Sequence, residues 1–263
     1  MQRVAPAGGP RAGGRPATGV FIHGLAIDSL ASFYFTLAPA VSAAGIEVIS
    51  YDLRGHGRSE RPATGYRLSD FVADLSGLLD ALEVAGPVHL VGNSFGGTVA
   101  FSYAAVYPER VASVVMIESE PATEMWSCKL ASMLGRAADH FGDPDALNWI
   151  TKHHGERPSR AAKAALNMLH ATSMVRDIPR GPLLSQDEIR SVGCPVLAIF
   201  GSGSDLVEQG GVMASLLARC RTVIVPGQEH SVLIEAPRSV RDLLLDWIAE
   251  HDLAIQLSHR GRG

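Results

Sequence analysis

Several residue types and patterns are scarce in this chain of 263 residues, and each scarcity excludes a class of protein. Cysteine occurs three times, at widely separated positions, so we expect neither a disulfide framework nor a cysteine-based metal site. No run of about 18 apolar residues occurs, so no membrane-spanning helix is predicted. The first residues are rich in glycine and proline and lack the apolar centre of a signal peptide, so we expect a cytoplasmic protein.

Basic residues are not in excess, as they usually are in a protein that binds nucleic acid. Lysine and arginine total 23 against 27 aspartate and glutamate residues, so the formal net charge is −4 and the composition does not indicate a basic surface for nucleic acid. Hydrophobic residues make up 46% of the chain and charged residues 19%, which is enough apolar material for a large core and argues against disorder. We therefore expect a globular monomer or homodimer whose partner is a small molecule.

Short apolar segments alternate with helix-forming segments along much of the chain. The strand-like segments are 19–22, 46–51, 87–92, 111–117, 195–200 and 222–225. Helices are expected at about 31–44, 69–84 (with Ser69 as its N-cap), 95–107 and 239–251. This alternation predicts an α/β fold with a doubly wound, mostly parallel sheet and helices on both faces.

The same pattern divides the chain into parts. Residues 1–17 are expected to form a flexible leader with at most one short strand near Arg3 and Val4. The core is assigned to 18–120 and 193–252, and 253–263 to a tail. Between about 121 and 192 no strand-like segment appears, which predicts a helical insertion between two halves of the core.

The candidate nucleophile is Ser94, in the segment Gly92-Asn93-Ser94-Phe95-Gly96-Gly97. This segment matches the pattern G-x-S-x-G and lies between an apolar strand and a helix, where a sharp turn presents the serine at the edge of the sheet. A structural glycine-rich turn would give the same letters, but the position between strand and helix favours a nucleophile.

A serine hydroxyl needs a base, and the base needs a carboxylate that orients it. His230 is the preferred base because it lies in a loop between a strand and the last helix. Asp205 is the preferred acid because it follows the strand 195–200 and gives the chain order serine, acid, histidine. Glu118 and Glu120, after an earlier strand, and Glu208 stay open as alternative acids.

Two backbone N–H groups are expected to stabilise the tetrahedral oxyanion. One belongs to Phe95, directly after the nucleophile, and the other to Leu25, in the loop that follows the first core strand. Three other histidines are weaker candidates for the base: His23, His56 and His89. The turn from Asp52 to Ser59 is expected to be structural, with Asp52 and Arg54 pairing locally.

The insertion carries large apolar side chains that could line a substrate pocket, although each of them could equally form the insertion's own core. The residues assigned to substrate binding are Trp126, Met133, Phe141 and Trp149.

Taken together, these motifs resemble the α/β-hydrolase superfamily, in its small capped esterase-like branch. The resemblance extends from about Gly19 to Ala249. It rests on His23-Gly24-Leu25, on the turn Asp52–Ser59, on the serine turn, and on His230, Glu235 and Pro237 near the end. It implies a doubly wound sheet with a helical cap and chemistry that needs no cofactor or metal. The usual antiparallel strand pair before His-Gly is shortened here, which predicts a trimmed sheet edge.

The sequence thus predicts a serine hydrolase that cleaves a carboxylic ester of a small apolar substrate. A thioesterase, a lactonase or a C–C bond hydrolase would use the same triad. The Gly-Asn-Ser-x-Gly-Gly turn resembles that of C–C bond hydrolases, but the residues after His23-Gly24 and after His230 do not. Ser94 excludes the dehalogenases and epoxide hydrolases, which use aspartate. A non-hydrolytic protein that binds a small molecule, or shapes a reactive intermediate, on this fold is the alternative of another class.

Overall fold

The computed structural model describes residues 1–7, 16–140, 152 and 156–260. Among them one seven-stranded sheet has the order β1-β3-β2-β4-β5-β6-β7. Its strands are β1 (Gln2–Val4), β2 (Thr18–Ile22), β3 (Glu47–Tyr51), β4 (Val88–Asn93), β5 (Val111–Ile117), β6 (Val196–Gly201) and β7 (Cys220–Val225). The edge strand β1 is antiparallel to β3, and the other neighbouring strands are parallel. The trimmed edge with one short strand is confirmed.

Helices cover both faces of this sheet. They are α1 (Ala31–Thr36), α2 (Ala38–Ala43), α3 (Leu68–Ala81), α4 (Phe95–Val106), α5 (Glu124–His140), α6 (Glu156–Ala171), α7 (Met174–Asp177), α8 (Gln186–Arg190), α9 (Gln209–Leu216), α10 (Val232–Glu235) and α11 (Pro237–Arg260). Two short 3₁₀ turns, Pro108–Arg110 and Ile178–Arg180, complete the helical part.

Each central strand is apolar on both sides because both sides are buried. In β2, Val20 belongs to the core shared with α3 and α4, whereas Phe21 belongs to the core shared with α1, α2 and α11. Successive side chains of a strand point to opposite faces, so a sheet covered twice needs an uninterrupted apolar run. This arrangement confirms the predicted doubly wound α/β fold.

Three helix boundaries differ from the expectation. The segment 31–44 forms two helices that meet at Leu37, because Pro39 cannot donate a backbone hydrogen bond and begins a new helix instead. The helix α3 is capped at Arg67 and not at Ser69, since the Arg67 N–H donates to the Asp70 carboxylate over 2.7 Å. The helix α11 runs on to Arg260, into the segment expected to be a tail.

The described part of the segment between β5 and β6 contains helices α5 to α8, a 3₁₀ turn and connecting loops, and no strand, which agrees with the predicted helical insertion. Leu130 and Leu134 of α5 and Met168 of α6 are buried in the same core as residues of α3 and α4. The insertion therefore packs on the side of the sheet that α3 and α4 cover. None of the described helices is both long and apolar enough to cross a membrane. The limits of the domains and the cytoplasmic location stay predictions.

Candidate active site

The serine turn between β4 and α4 holds its central residue in an unusual backbone conformation. Ser94 has φ 51° and ψ −122°, a backbone conformation that residues other than glycine rarely adopt. Its N–H donates to the Ile117 carbonyl over 2.8 Å, which ties the turn to the end of β5. Such strain persists only where the surrounding structure imposes it, and it is concentrated at functional sites.

The glycines around Ser94 are required by close backbone contacts. A Cβ on Gly96 would lie 2.0 Å from the Ile22 carbonyl oxygen, and one on Gly92 would lie 2.3 Å from the Gly96 backbone. The helix α4 therefore lies closer to β2 and β4 than would be possible with any residue other than glycine at positions 92 and 96. This is the physical reason for the G-x-S-x-G pattern at this position.

His230 meets the nucleophile from the loop between β7 and α10. Its Nε2 atom lies 3.2 Å from the Ser94 hydroxyl, which is hydrogen-bonding distance although the two residues are 136 positions apart in sequence. About half of its side-chain surface is exposed, so the imidazole is accessible from solvent. The structure thus brings together the two residues that the sequence assigned as nucleophile and base.

The other ring nitrogen of His230, Nδ1, lies beside Glu118. The Nδ1 atom lies 3.3 Å from Glu118 Oε2, and the Glu118 side chain is fully buried directly after β5. The Gly201 N–H donates to Oε1, and the Ser204 hydroxyl donates to Oε2. The hydrogen bond to Glu118 raises the pKa of His230 above its usual 6.5, and the charge of Asp205 adds to the rise against the opposing effect of burial.

Asp205, the acid preferred from the sequence, does not occupy this position. It is exposed, and in the described part of the chain no hydrogen bond or ion pair joins it to His230. The reason lies in the sheet order, because β5 lies beside β4, whereas β6 is one strand farther from the nucleophile. The loop after β6 presents Ser204 to Glu118, and the charge of Asp205 reaches His230 only through space.

The remaining candidate acids have other positions. Glu120 is buried and forms an ion pair with Lys129 of α5 over 3.1 Å, which ties the insertion to the end of β5. Glu208 is exposed at the start of α9.

The loop after β2 passes beside the nucleophile and leaves one amide without a partner. A Cβ on Gly24 would lie 3.4 Å from the Cβ of Ser94. The Gly24 N–H donates to Asp28 over 2.7 Å, and the Ala26 N–H donates to His56 Nε2 over 3.0 Å. Across the described residues, no hydrogen bond uses the Leu25 N–H between them.

The Phe95 N–H, at the first position of α4, is in the same situation. Of the hydrogen bonds found among the described residues, none uses it. The first amides of a helix have no partner within the helix, so this N–H is available to an anion. The two backbone donors expected from the sequence therefore both lack a hydrogen-bond partner among the described residues.

The three other candidate histidines are already engaged in hydrogen bonds: His23 and His56 with backbone N–H groups, and His89 with a serine hydroxyl. His23 accepts from the Leu53 N–H over 3.0 Å, and its burial lowers its pKa. His56 accepts from the Ala26 N–H, and burial lowers its pKa to about 4. His89 is buried in β4 against Ser113, with its pKa also lowered by burial to about 4. These three rings are neutral at ordinary pH and are already engaged.

The turn after β3 is structural but pairs differently from the expectation. Asp52 accepts from the backbone N–H groups of Leu30 and Arg58, each over 3.0 Å. Arg54 pairs with Asp74 of α3 over 2.5 Å and not with Asp52, whose oxygens are already taken by these amides.

The four predicted substrate-binding residues differ in where the structure places them. Trp126 is buried on α5 and stacks on Phe95, with ring centroids 6.4 Å apart and planes inclined by 13°. Met133 is exposed on α5. Phe141 and Trp149 lie outside the described residues. No three metal-ligating side chains are grouped in the part of the chain that the structure covers.

Known proteins resemble this chain over most of its length. A family model described as "alpha/beta hydrolase fold" matches residues 20–237. The 2-(acetamidomethylene)succinate hydrolase of Mesorhizobium japonicum is 29% identical over 218 residues, which are 76% of this chain and 77% of that enzyme. A monoacylglycerol lipase of Mycolicibacterium smegmatis is 26% identical over 88% of each chain.

A solved structure supports the fold independently. A protein from Nitrososphaera gargenis, described among carboxylesterases of that organism, superposes with a TM-score of 0.74. The match covers 96% of this chain and 94% of that one at 22% sequence identity, which speaks for the fold alone.

Proposed function

Because this chain belongs to the α/β-hydrolase family, we propose that it is a serine hydrolase that cleaves carboxylic esters of small apolar substrates. The observation that carries the proposal is the continuous contact from Ser94 Oγ to His230 Nε2 and from His230 Nδ1 to Glu118. A serine beside a histidine base, with a carboxylate that orients the base, is the arrangement that acyl transfer requires. The relatives named as a hydrolase and a lipase act by cleaving bonds with water, which supports the same reaction class.

The first half of the reaction forms an acyl-enzyme. His230 Nε2 accepts the proton of the Ser94 hydroxyl as its oxygen attacks the ester carbonyl. The resulting oxyanion is stabilised by the N–H groups of Leu25 and Phe95. When the tetrahedral adduct collapses, the protonated His230 gives its proton to the departing alkoxide, which leaves as an alcohol.

The second half releases the acid. His230 removes a proton from water, whose oxygen attacks the acyl carbon, and the proton returns to Ser94 when the carboxylic acid departs. Glu118 keeps the Nδ1–H of His230 directed towards itself, so that Nε2 presents its lone pair to the serine. Its negative charge also stabilises the imidazolium that forms in each half-reaction.

The Leu25 donor has specific structural support. The amides on either side of it are held by Asp28 and His56, so the loop cannot rotate without breaking two hydrogen bonds. Ala26 has φ 65°, a conformation that this pair of contacts maintains. Donors that are fixed before the reaction stabilise developing charge without reorganisation.

An apolar acyl group fits the surroundings of the serine. The Phe95 side chain packs between Phe71 of α3 and Trp126 of α5, which makes an aromatic layer under the insertion directly beside Ser94. We assign Trp126 to the wall of the acyl pocket on this basis. Met133, Phe141 and Trp149 remain sequence-based candidates for the same pocket.

The test is hydrolysis of p-nitrophenyl esters of graded acyl length by the wild type and by Ser94→Ala. We expect the wild type to turn over short and medium acyl chains and the variant to lose at least about a thousandfold in kcat. Thermal unfolding of both proteins serves as the control for folding. A folded wild type without turnover, or a variant that keeps its activity, would refute the proposed function.

A further inference from the structure

The loop 201–205 after β6 supplies donors to the buried acid and not the acid itself. Its first residue, Gly201, donates its N–H to Glu118 Oε1, and Ser204 donates its hydroxyl to Oε2. Ser204 is 5% exposed, so this hydroxyl is as enclosed as the carboxylate that it meets. Oε2 is the same oxygen that faces His230, and it is therefore shared between Ser204 and His230.

The direction of the Ser204 hydrogen bond follows from its other partner. The Leu206 N–H donates to Ser204 Oγ over 3.1 Å. That bond uses a lone pair of the hydroxyl oxygen and leaves its single proton for Glu118. The serine is thus fixed as a donor to the carboxylate.

A buried carboxylate needs such donors to stay ionised. Removing a carboxylate from water favours its neutral form, whereas hydrogen bonds to the anion favour the charged form. A neutral Glu118 could not stabilise a protonated His230, and its acid proton would compete for the contact with Nδ1. The contact that Glu118 makes with His230 therefore depends on the donors from the loop 201–205.

We propose that Ser204 is a positioning residue that holds the Oε2 atom of Glu118 against His230 Nδ1. The proposal rests on the proposed function in one respect, namely that Glu118 is the acid of the triad. It assigns the loop after β6 two separate effects on the base: Ser204 acts through Glu118, and Asp205 acts directly as an exposed negative charge.

These two effects act by different routes, which makes them separable by kinetics. The charged groups that act on His230 are Glu118 at the end of β5 and Asp205 after β6. Loss of the Ser204 donor lets the Glu118 carboxylate move away from Nδ1, which weakens the hydrogen bond that raises the pKa of His230 and leaves the base poorly oriented, so both the pKa of His230 and kcat fall. Loss of the Asp205 charge also lowers the pKa of His230, because a nearby anion favours the imidazolium, but it leaves the orientation of the ring unchanged.

The experiment is NMR titration of the His230 ring in the whole protein without substrate, for the wild type, Ser204→Ala and Asp205→Asn. We expect the pKa of the His230 ring to fall in Ser204→Ala, and to fall in Asp205→Asn as well. Ser102→Ala is the matched control, since Ser102 is another buried serine, on α4, whose hydroxyl finds no partner among the described residues. Its titration should match the wild type. An unchanged or raised pKa in Ser204→Ala would overturn the proposal.

Kinetics on an ester substrate give the second readout. We expect Ser204→Ala to reduce kcat about tenfold with little change in KM, and the acid limb of its pH–rate profile to move to lower pH. Asp205→Asn should move the limb in the same direction with a smaller change in kcat. Ser204→Cys, which keeps a weak donor and nearly the same volume, should restore part of the loss. Equal kcat in Ser204→Ala and the wild type would also overturn the proposal. Because the titration needs no turnover, it stands even if the ester hydrolase assignment fails.

Discussion

Glu118 Oε2 lies 3.3 Å from His230 Nδ1, at the end of the strand next to the one that carries the nucleophile. Glu118 has φ 50°, so the chain turns sharply where β5 ends and sends the carboxylate under the His230 loop. The same residue is anchored from β6 through Gly201 and Ser204. The base is thus oriented by a group that two neighbouring strands, β5 and β6, hold in place.

The first prediction concerns the pH dependence of the reaction. His230 must be neutral to accept the serine proton, and Glu118 raises its pKa above 6.5. The specificity constant kcat/KM should therefore fall as the pH drops through a value above 6.5. This fall is the acid limb of the pH profile, and Glu118→Gln should move the limb to lower pH. The same shift means that protonated His230 stabilises the fold below pH 6.5, and that this contribution is lost as pH rises through the raised pKa. Ester hydrolysis between pH 5 and about 9 measures the limb; a limb at or below 6.5 in the wild type would contradict the prediction.

The second prediction concerns the loop that carries Leu25. His56→Ala removes the acceptor of the Ala26 N–H and frees a backbone held at positive φ, so kcat should fall by about tenfold or more while KM changes little. Steady-state kinetics on a p-nitrophenyl ester measures this split. His170→Ala, on the exposed side of α6, should leave both constants unchanged. A rise in KM alone would mean that His56 supports binding and not the oxyanion donor.

The third prediction separates a required glycine from a tolerated one. Gly96→Ala would place a Cβ against the Ile22 carbonyl, so we expect the free energy of unfolding to drop by about 3 kcal/mol and activity to be lost. Gly77→Ala, on α3, meets no atom within 4 Å and should raise the free energy of unfolding by roughly 0.5–1 kcal/mol. Urea unfolding of both variants checks the pair. Equal stabilities would show that α4 can move away from β2.

The fourth prediction concerns the acyl pocket. Trp126→Phe keeps an aromatic ring against Phe95 but leaves space, so the preferred acyl chain should become longer. Met125→Ala changes an exposed side chain of the same helix that is not assigned to the pocket, and should leave the preference as it is. The ratio of kcat/KM across the ester series is the measurement. An unchanged optimum in Trp126→Phe would remove Trp126 from the pocket wall.

The sequence was informative where the chemistry depends on local pattern. The serine turn needs glycines at fixed offsets from Ser94, and the strand and helix on either side are visible in the apolar pattern, so the fold and this turn could be read directly. His230 followed from its place after the last strand. These features depend on neighbours within a few residues.

The acid could not be chosen in this way. Both Glu118 and Asp205 follow strands whose ends meet at one edge of the sheet, and the choice between them depends on strand order and loop shape. The contact between Ser204 and Glu118 joins residues 86 positions apart and leaves no local signal. Asp28 and His56 were missed as supports of the Leu25 loop for the same reason, although His56 lies in the recognised turn after β3.

The most direct test of the account compares Glu118→Gln with Asp205→Asn on one p-nitrophenyl ester. Both changes remove one negative charge and keep nearly the same shape. Since Glu118 and not Asp205 contacts His230 Nδ1, we predict that Glu118→Gln lowers kcat by about a thousandfold or more, whereas Asp205→Asn changes it by less than about tenfold. A severe loss in Asp205→Asn beside a nearly normal Glu118→Gln would contradict the account and assign the acid to the loop after β6.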